Sequence, residues 1–397
     1  MIDILYIKYS DEFQKYVYIT DYAGVFDNSF FIKKFTNIKN FMKNEVNLCK
    51  DIPDSKYVII LEGNDVEKNE KYIFSSNRII TDLQKNRCKI FVTLREGSVN
   101  DEGFTSFLDN GIHGLSEKLK GKNIHRESFV YLTPEILVNS NQYGDFNFIH
   151  KFINIWALQM ESYKKQFYHP FALKMFKKSK YFLRQKHFYS VNSTPRSHRV
   201  DLLNFLKKEN ILEKGNVSFF THLITSPEEH SKLYKELDIK SIGRDLKLIN
   251  SMSPHTAQIN IVRSFASYFQ IITMSIYDID PEDKYQYVFF NEKIWKSVIT
   301  LQPFILIGQP NVLKFLKEWG FKTFSPFIDE SYDDVLDNDE RKNLIFKEIK
   351  RLCSMSIDDM HKWYWDMNEI LVHNYNYLEK FSNKHYDEFI KLLKGSK

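Results

Sequence analysis

Three consecutive polar residues, Asn291, Glu292 and Lys293, have the types and spacing to bind a phosphorylated sugar. They follow a short strand-like run and begin a helix-length segment. An Asn at a helix N-cap leaves backbone N–H groups at the helix start, where a lysine adds positive charge for a phosphate. A neighbouring carboxylate can accept hydrogen bonds from two adjacent sugar hydroxyls. The triplet suits a nucleotide sugar, although a surface Glu-Lys pair is also common at a helix start.

A second group of cationic residues could stabilise the diphosphate that leaves such a donor. Arg196 and Arg199 lie in STPRSHR, between the strand-like HFYSVN and the helix-like VDLLNFLKK. The planar guanidinium bonds two phosphate oxygens at once, and without a metal such cations must offset the departing charge. The alternative is a pair of ordinary solvated arginines, which contribute little.

The segment from Phe289 to Gly308 resembles the donor-binding element of GT-B glycosyltransferases, particularly the fucosyltransferase-like enzymes. The pattern of that element is Thr-Glu-Lys, a helix, and an apolar strand that ends in glycine. Here Asn291 replaces the threonine, while Glu292, Lys293 and the glycine fit. The resemblance implies that Glu292 binds the donor ribose and that Lys293 binds the diphosphate.

The chain is more similar still to the glycosyltransferase-like proteins of large tailed phages, through residues 188–206 and 308–333. Members of the family more often carry a glutamate where Met274 stands, and this departure bears on donor identity and on catalytic competence. The donor-binding residues that the resemblance implies are Asn192, Arg196, His198, Arg199, Glu292, Lys293 and Gly308.

The length and the order of the patterns indicate two α/β domains. A chain of 397 residues is long enough for two hydrophobic cores. Strand-like runs alternate with helical ones in both halves, which favours parallel sheets covered by helices. With the resemblance, this predicts two Rossmann-like domains facing across a cleft (GT-B), with C-terminal helices. We expect an acceptor-side domain at 1–165, a basic helical bridge at 166–186, a nucleotide-sugar domain at 187–350, and helices packing back toward the first domain at 351–397.

The catalytic base is expected in the N-terminal half, at a loop that follows a strand, because open α/β sheets bind ligands at the carboxyl ends of their strands. Glu62 in IILEGN and Glu96 in VTLREG satisfy this condition, and Asp21 satisfies it less well. A carboxylate in such a place often caps a helix or turn instead, so each of these residues also has a structural interpretation.

The segment from Lys164 to Arg199 is basic and aromatic, with no Asp or Glu, although the net charge of the chain is only +5. Lysines beside aromatic rings suit a nucleic acid, because cations follow phosphates and rings stack on bases. The alternative is a solvated helix face whose rings pack inward. The predicted nucleic-acid contacts are Lys174, Lys177, Lys178, Lys180 and Arg184.

Several other kinds of site are not indicated. No Asp-x-Asp directly follows a strand-like run, and the carboxylates of residues 328–342 are expected to cap a loop and a helix start. The three cysteines are too few and too scattered for a disulfide framework or a zinc site. We therefore expect no metal and no cofactor. No apolar run approaches a bilayer span, and the N-terminus is not basic, so a cytoplasmic protein without membrane association is expected.

Together these patterns predict a metal-independent glycosyltransferase that moves a sugar from a nucleotide diphosphate to a hydroxyl. Two acceptors stay open, a hydroxymethylated pyrimidine in phage DNA and a glycan. The basic segment favours double-stranded DNA as a partner. The alternative from another class is a nucleic-acid-binding protein with a degenerate fold of the same type.

Overall fold

The computed structural model describes residues 2–5, 46–49, 52, 54–62, 74–93, 111–138, 144–164, 169–192, 196–219, 261–280 and 286–395. The chain divides into two compact units. Unit 1 comprises Met1–Ser162, Lys284–Phe290 and Ser382–Lys397, and unit 2 comprises Tyr163–Asp283 and Asn291–Phe381. Within the described residues, none of the helices combines the length and the apolar composition that a bilayer crossing requires.

The described strands and helices are numbered in chain order. The strands are β1 (Ile2–Leu5), β2 (Val46–Cys49), β3 (Tyr57–Glu62), β4 (Cys88–Thr93), β5 (Phe129–Thr133), β6 (Glu135–Leu137), β7 (Ile149–Phe152), β8 (Lys186–Asn192), β9 (Gly215–Phe219), β10 (Ser267–Thr273), β11 (Tyr287–Phe289) and β12 (Phe304–Ile307). The helices are α1 (Asn77–Gln84), α2 (Gly111–Gly121), α3 (Ile155–Tyr163), α4 (His169–Ser179), α5 (Ser197–Lys208), α6 (Ile261–Phe265), α7 (Glu292–Ile299), α8 (Val312–Glu318), α9 (Asn338–Ser354), α10 (Ile357–Asp366) and α11 (Asn368–Lys394).

Unit 1 contains a parallel sheet with the strand order β2-β1-β3-β4-β5-β7. The first five strands follow the doubly wound, flavodoxin-like order. The strands at the centre of the sheet are apolar and buried, as Ile59, Ile90 and Tyr131 illustrate. Such continuous apolar runs are typical of parallel strands covered on both faces.

Unit 2 contains a second parallel sheet, with the order β12-β10-β8-β9 among the described strands. Every residue of β10 is buried, which is typical of a central strand. Helix α7 buries Trp295, whose ring packs on Phe321 and Phe381 at centroid distances of 5.4 Å and 5.4 Å. The predicted class, two Rossmann-like α/β domains followed by helices, is confirmed in that each unit has its own parallel sheet.

One expected strand pairs differently from the prediction. The run KYQYVFF was expected in the second domain, but its strand β11 belongs to unit 1 and pairs antiparallel with β6, with Phe289 opposite Glu135. The chain therefore crosses from unit 1 to unit 2 between Phe290 and Asn291.

The division into units also differs from the expected domain boundaries. Residues 166–186 belong to unit 2 and are not a separate bridge, and residues 351–381 belong to unit 2 as well. Only the chain from Ser382 onward groups with unit 1, where the Ser382 hydroxyl donates to the Ala157 carbonyl at 3.1 Å. Helix α11 thus begins in unit 2 and ends in unit 1.

Two carboxylates of residues 328–342, those of Asp333 and Asp337, cap helix starts, as the sequence predicted for this segment. Asp337 accepts a hydrogen bond from the Glu340 N–H at the start of α9, at 2.7 Å. Asp333 accepts from the Leu313 and Lys314 N–H groups in the first turn of α8, at 3.0 and 2.9 Å. Both contacts pair donors that a helix start leaves unsatisfied.

Candidate functional site

The candidate site lies at the carboxyl ends of β8 and β10, the two strands between which the order of the second sheet reverses. Open α/β sheets bind ligands at such a switch point. Asn192 ends β8 and Thr273 ends β10. The Thr273 hydroxyl donates to Asn192 Oδ1 at 2.6 Å, and Asn192 Nδ2 donates to the Ser190 hydroxyl at 3.3 Å. These buried polar contacts fix the strand ends on which the other residues converge.

Lys293 reaches this switch point from the start of α7. Its backbone N–H donates to the N-cap side chain of Asn291 at 3.0 Å, which begins the helix as the sequence predicted. Its ammonium group donates to the Thr273 carbonyl at 2.7 Å and to the Thr273 hydroxyl at 3.2 Å. The cap and the lysine together attach α7 to the end of β10.

Three further predicted donor residues bind the backbone just beyond β10. The Met274 carbonyl lies 3.0 Å from His198 Nε2 and accepts from a guanidinium nitrogen of Arg199 at 3.0 Å. Arg196 donates to the Ser275 carbonyl. A carbonyl only accepts, so His198 carries its proton on Nε2. His198 and Arg199 are buried, whereas Arg196 is partly exposed.

Gly308 meets the same short segment from β12. The Met274 N–H donates to the Ile307 carbonyl at 2.8 Å, and a Cβ on Gly308 would lie 2.6 Å from Met274 Cγ. The glycine is therefore required by the close approach of a buried methionine, a packing reason in addition to the predicted role in donor binding. The predicted donor-binding residues other than Glu292 thus contact residues 273–275.

The site concentrates positive charge in a buried place. Burial, and then the charge of Arg199, holds the pKa of Lys293 well below the usual lysine range. Burial and the charge of Arg196 lower the pKa of Arg199 to about 10. Glu292 is the carboxylate that opposes these effects, and its Oε1 lies 3.7 Å from the Lys296 ammonium. Such a cluster has a net affinity for anions.

His198 does not add to this charge at neutral pH. Burial, reinforced by the charge of Arg199, lowers the pKa of His198 to about 3, so the imidazole is neutral. Its ring stacks on Tyr277 with centroids 5.4 Å apart. His198 therefore contacts the Met274 carbonyl as a neutral imidazole, and its place on the phosphate side stays a prediction.

The segment after Met274 is held by α9, through residues that the sequence analysis did not single out. Arg341 is 1% exposed, donates to the Tyr277 carbonyl at 2.8 Å, and lies 4.5 Å above the Tyr277 ring. The Tyr277 hydroxyl donates to the Asn338 carbonyl at 2.6 Å. This clamp positions the loop that carries the Met274 and Ser275 carbonyls. Its only sequence signal was an arginine amid carboxylates.

The predicted catalytic carboxylates are placed only in part. Glu62 is the last residue of β3, with its backbone opposite Thr93 of β4, at the carboxyl edge of the first sheet as expected. Glu96 lies outside the described residues. Across the described ranges, no three His, Cys, Asp or Glu side chains lie close enough together to hold a metal ion.

The predicted nucleic-acid contacts separate into two groups. Lys174, Lys177, Lys178 and Lys180 are exposed. Arg184 is 5% exposed and donates to the Ser267 carbonyl and to the Tyr364 hydroxyl, each at 2.6 Å. The prediction for Arg184 is therefore corrected, because a guanidinium that is buried against Tyr364 supports the fold of unit 2 and cannot reach a phosphate backbone.

Comparison with known proteins gives a weak likeness of fold. No protein-family model and no curated protein matches the sequence. A UDP-forming α,α-trehalose-phosphate synthase from Burkholderia xenovorans aligns with a TM-score of 0.44 at 11% identity, over 92% of this chain and 79% of that one. An α,α-trehalose 6-phosphate synthase from Burkholderia multivorans aligns with a TM-score of 0.36 at 10% identity, over 86% and 70%.

Proposed function

We propose that this chain is a GT-B glycosyltransferase, and that unit 2 binds its nucleotide-diphosphate sugar at the ends of β8 and β10. One observation carries the proposal: Arg196, Arg199 and Lys293 converge on residues 273–275 at the switch point of a parallel sheet. Strand ends at a switch point supply the binding place, and clustered cations supply the affinity for a diphosphate.

The proposed roles follow from accessibility and charge. Arg196 is partly exposed and its guanidinium donates to the Ser275 carbonyl, so in the proposed complex it exchanges that carbonyl for a phosphate oxygen. Lys293 and Arg199 add positive charge behind it. Glu292, in the first turn of α7, accepts hydrogen bonds from the ribose hydroxyls in the proposed complex.

The proposed reaction is transfer of the sugar to a hydroxyl oxygen. The oxygen attacks the anomeric carbon, the bond from that carbon to the phosphate oxygen breaks, and the acceptor proton passes to a carboxylate base. The electron pair leaves with the nucleoside diphosphate, whose charge the cations stabilise. Glu62 and Glu96 stay the predicted bases. The proposed place of the reaction is the cytoplasm, of the cell or of a phage host. The proposed chemistry is metal-independent, because the side chains already supply the charge that a divalent ion would add.

A thermal-shift panel of nucleoside diphosphates and their sugar conjugates tests the donor site. A ligand at about 100 times its dissociation constant stabilises the fold by about 2.7 kcal/mol. We expect one nucleotide to raise the melting temperature of the wild type but not of Arg196→Gln. The exposed Lys314→Gln serves as the control and should respond like the wild type. If no nucleotide stabilises the wild type, the donor assignment is wrong.

The acceptor is proposed to be DNA, as a hydroxymethylated pyrimidine, because exposed lysines lie on the same unit as the donor site. Release of the nucleoside diphosphate in the presence of hydroxymethylated DNA supports this acceptor, whereas release only with oligosaccharides supports a glycan. A protein that binds nucleic acid but neither binds nor turns over any nucleotide sugar is the degenerate alternative.

A further inference from the structure

The end of helix α4 forms an exposed surface with an unusual combination of groups. Tyr181, Phe182 and Leu183 are 79%, 68% and 52% exposed and follow one another in the turn after the helix. Single exposed apolar residues are ordinary, whereas three in succession are a reason to look for an interaction surface. We call this surface the basic tip and define it as Tyr181–Leu183 together with the exposed residues Lys174, Lys177, Lys178 and Lys180.

Three lysines of the basic tip, Lys174, Lys177 and Lys178, form a row on α4. Positions 177 and 178 are three and four residues from position 174, so the three lysines share one face of α4, and Tyr181 follows in the turn two residues after the helix ends at Ser179. The opposite face packs inward through Phe176, whose ring lies 4.9 Å from that of Trp365. At 1.5 Å per residue, the row extends about 6 Å along α4 from Lys174 to Lys178.

The backbone of the basic tip is held in place although its side chains are exposed. The Lys180 carbonyl accepts from His361 Nε2 at 3.1 Å, and the opposite nitrogen of that imidazole lies 3.1 Å from the Tyr268 hydroxyl. The same hydroxyl accepts from the Arg184 N–H at 3.0 Å. The exposed rings are therefore presented by a fixed turn, which reduces the entropy lost when a partner binds.

We propose that the basic tip binds single-stranded or locally unpaired nucleic acid, with bases stacked on Tyr181 and Phe182 and phosphates along the lysine row. A linear row of cations that ends in aromatic rings matches a linear polyanion whose bases have free faces. The bases of an intact duplex have no free faces, so a single strand or an unpaired stretch fits the rings better than a duplex does. This inference deepens the DNA acceptor of the proposed function, but the binding itself does not depend on glycosyl transfer.

Fluorescence anisotropy with labelled oligothymidylate, and with a duplex of the same length, tests the inference. The wild type should bind the single strand more tightly than the duplex. Tyr181→Ala/Phe182→Ala should weaken single-strand binding by about 5- to 150-fold for each stacked base that is lost. Lys177→Glu/Lys178→Glu should weaken binding to both nucleic acids and reduce the salt slope for each lost phosphate contact by about 0.7 with the single strand and about 0.9 with the duplex.

Matched controls distinguish a specific role of the basic tip from a general effect of losing an exposed apolar side chain or surface positive charge. Leu336→Ala removes a side chain that is also 52% exposed, and Lys208→Glu/Lys314→Glu reverses two exposed lysines elsewhere on unit 2. These controls should bind like the wild type. The inference is overturned if the tip variants bind oligothymidylate as well as the wild type does, or if the controls weaken it equally. It is also overturned if the tip variants lose binding only to phosphatidylserine vesicles.

The same variants keep the two proposals distinguishable. The tip variants should retain the thermal shift produced by the nucleotide ligand, because their side chains lie outside the candidate donor site. If nucleotides raise the melting temperature but the protein does not bind oligothymidylate, the donor-site proposal is supported and the proposal for the basic tip is wrong. Oligothymidylate binding that depends on the tip, without any nucleotide effect, supports the tip and contradicts the donor site.

Discussion

Gly308 and Met274 lie so close together that a Cβ atom on the glycine would stand 2.6 Å from Met274 Cγ and 3.1 Å from Met274 Cβ. The methionine cannot move aside easily, because it is 1% exposed and its N–H and carbonyl are both hydrogen-bonded. The apolar residue that departs from the family pattern and the glycine that fits it are thus packed against each other. Substitutions at these two positions should therefore have coupled effects on the free energy of unfolding.

Gly308→Ala should lower the free energy of unfolding by about 1–3 kcal/mol, since the added methyl group overpacks the site. Met274→Ala should cost about 2–5 kcal/mol by leaving a cavity. The double variant should lose less than the sum, because the small residue at 274 accommodates the new methyl group. Urea denaturation of the four proteins measures the coupling, and strictly additive losses would contradict the contact.

Arg341 should matter for stability although it lies in a charged stretch of sequence. Arg341→Met should lower the free energy of unfolding by about 3 kcal/mol or more, because the carbonyls of Val335, Leu336 and Tyr277 lose a charged donor. The exposed Lys347→Met on the same helix should change it by no more than about 0.5 kcal/mol. Denaturation midpoints of the two variants measure the difference. Similar midpoints would contradict the interpretation that buried Arg341 clamps the segment around Tyr277.

Substitutions of Arg184 and Lys174 should differ in their effect on stability, although both residues belong to the basic segment. Arg184→Met should destabilise the fold by about 2–4 kcal/mol, because it leaves the Ser267 carbonyl and the Tyr364 hydroxyl without a charged donor. Lys174→Met should leave stability within about 0.5 kcal/mol of the wild type, since its side chain is exposed. Thermal and urea unfolding measure both. A stable Arg184→Met protein would restore the original surface interpretation.

The sequence predicts those parts of the fold and site that depend on local patterns. The apolar run of β10 and the Asn291 cap follow from neighbouring residues, and both are observed. Strand β9, GNVSF, has too little apolar character to be recognised from its own residues, and in the structure it pairs parallel with β8. Arg184 resembled its exposed neighbours because its partner Tyr364 is 180 residues away. Burial of a charged residue depends on such distant partners, which local patterns do not contain.

Binding of the nucleotide donor should take up protons and weaken as the pH rises, because of Lys293. Burial and the neighbouring Arg199 lower the pKa of Lys293 in the free protein, and a bound diphosphate would raise it again. The complex then holds more protons than the free protein. Affinity should be greatest at a pH below the pKa that Lys293 has in the free protein. It should fall as the pH rises from that value toward the pKa that Lys293 has in the complex. His198 does not contribute in this range, because its pKa is about 3.

Calorimetry in two buffers with different ionisation enthalpies measures the proton uptake. Lys293→Met should abolish it, whereas Lys314→Met should leave it unchanged. Equal binding enthalpies in the two buffers for the wild type would rule out this role for Lys293.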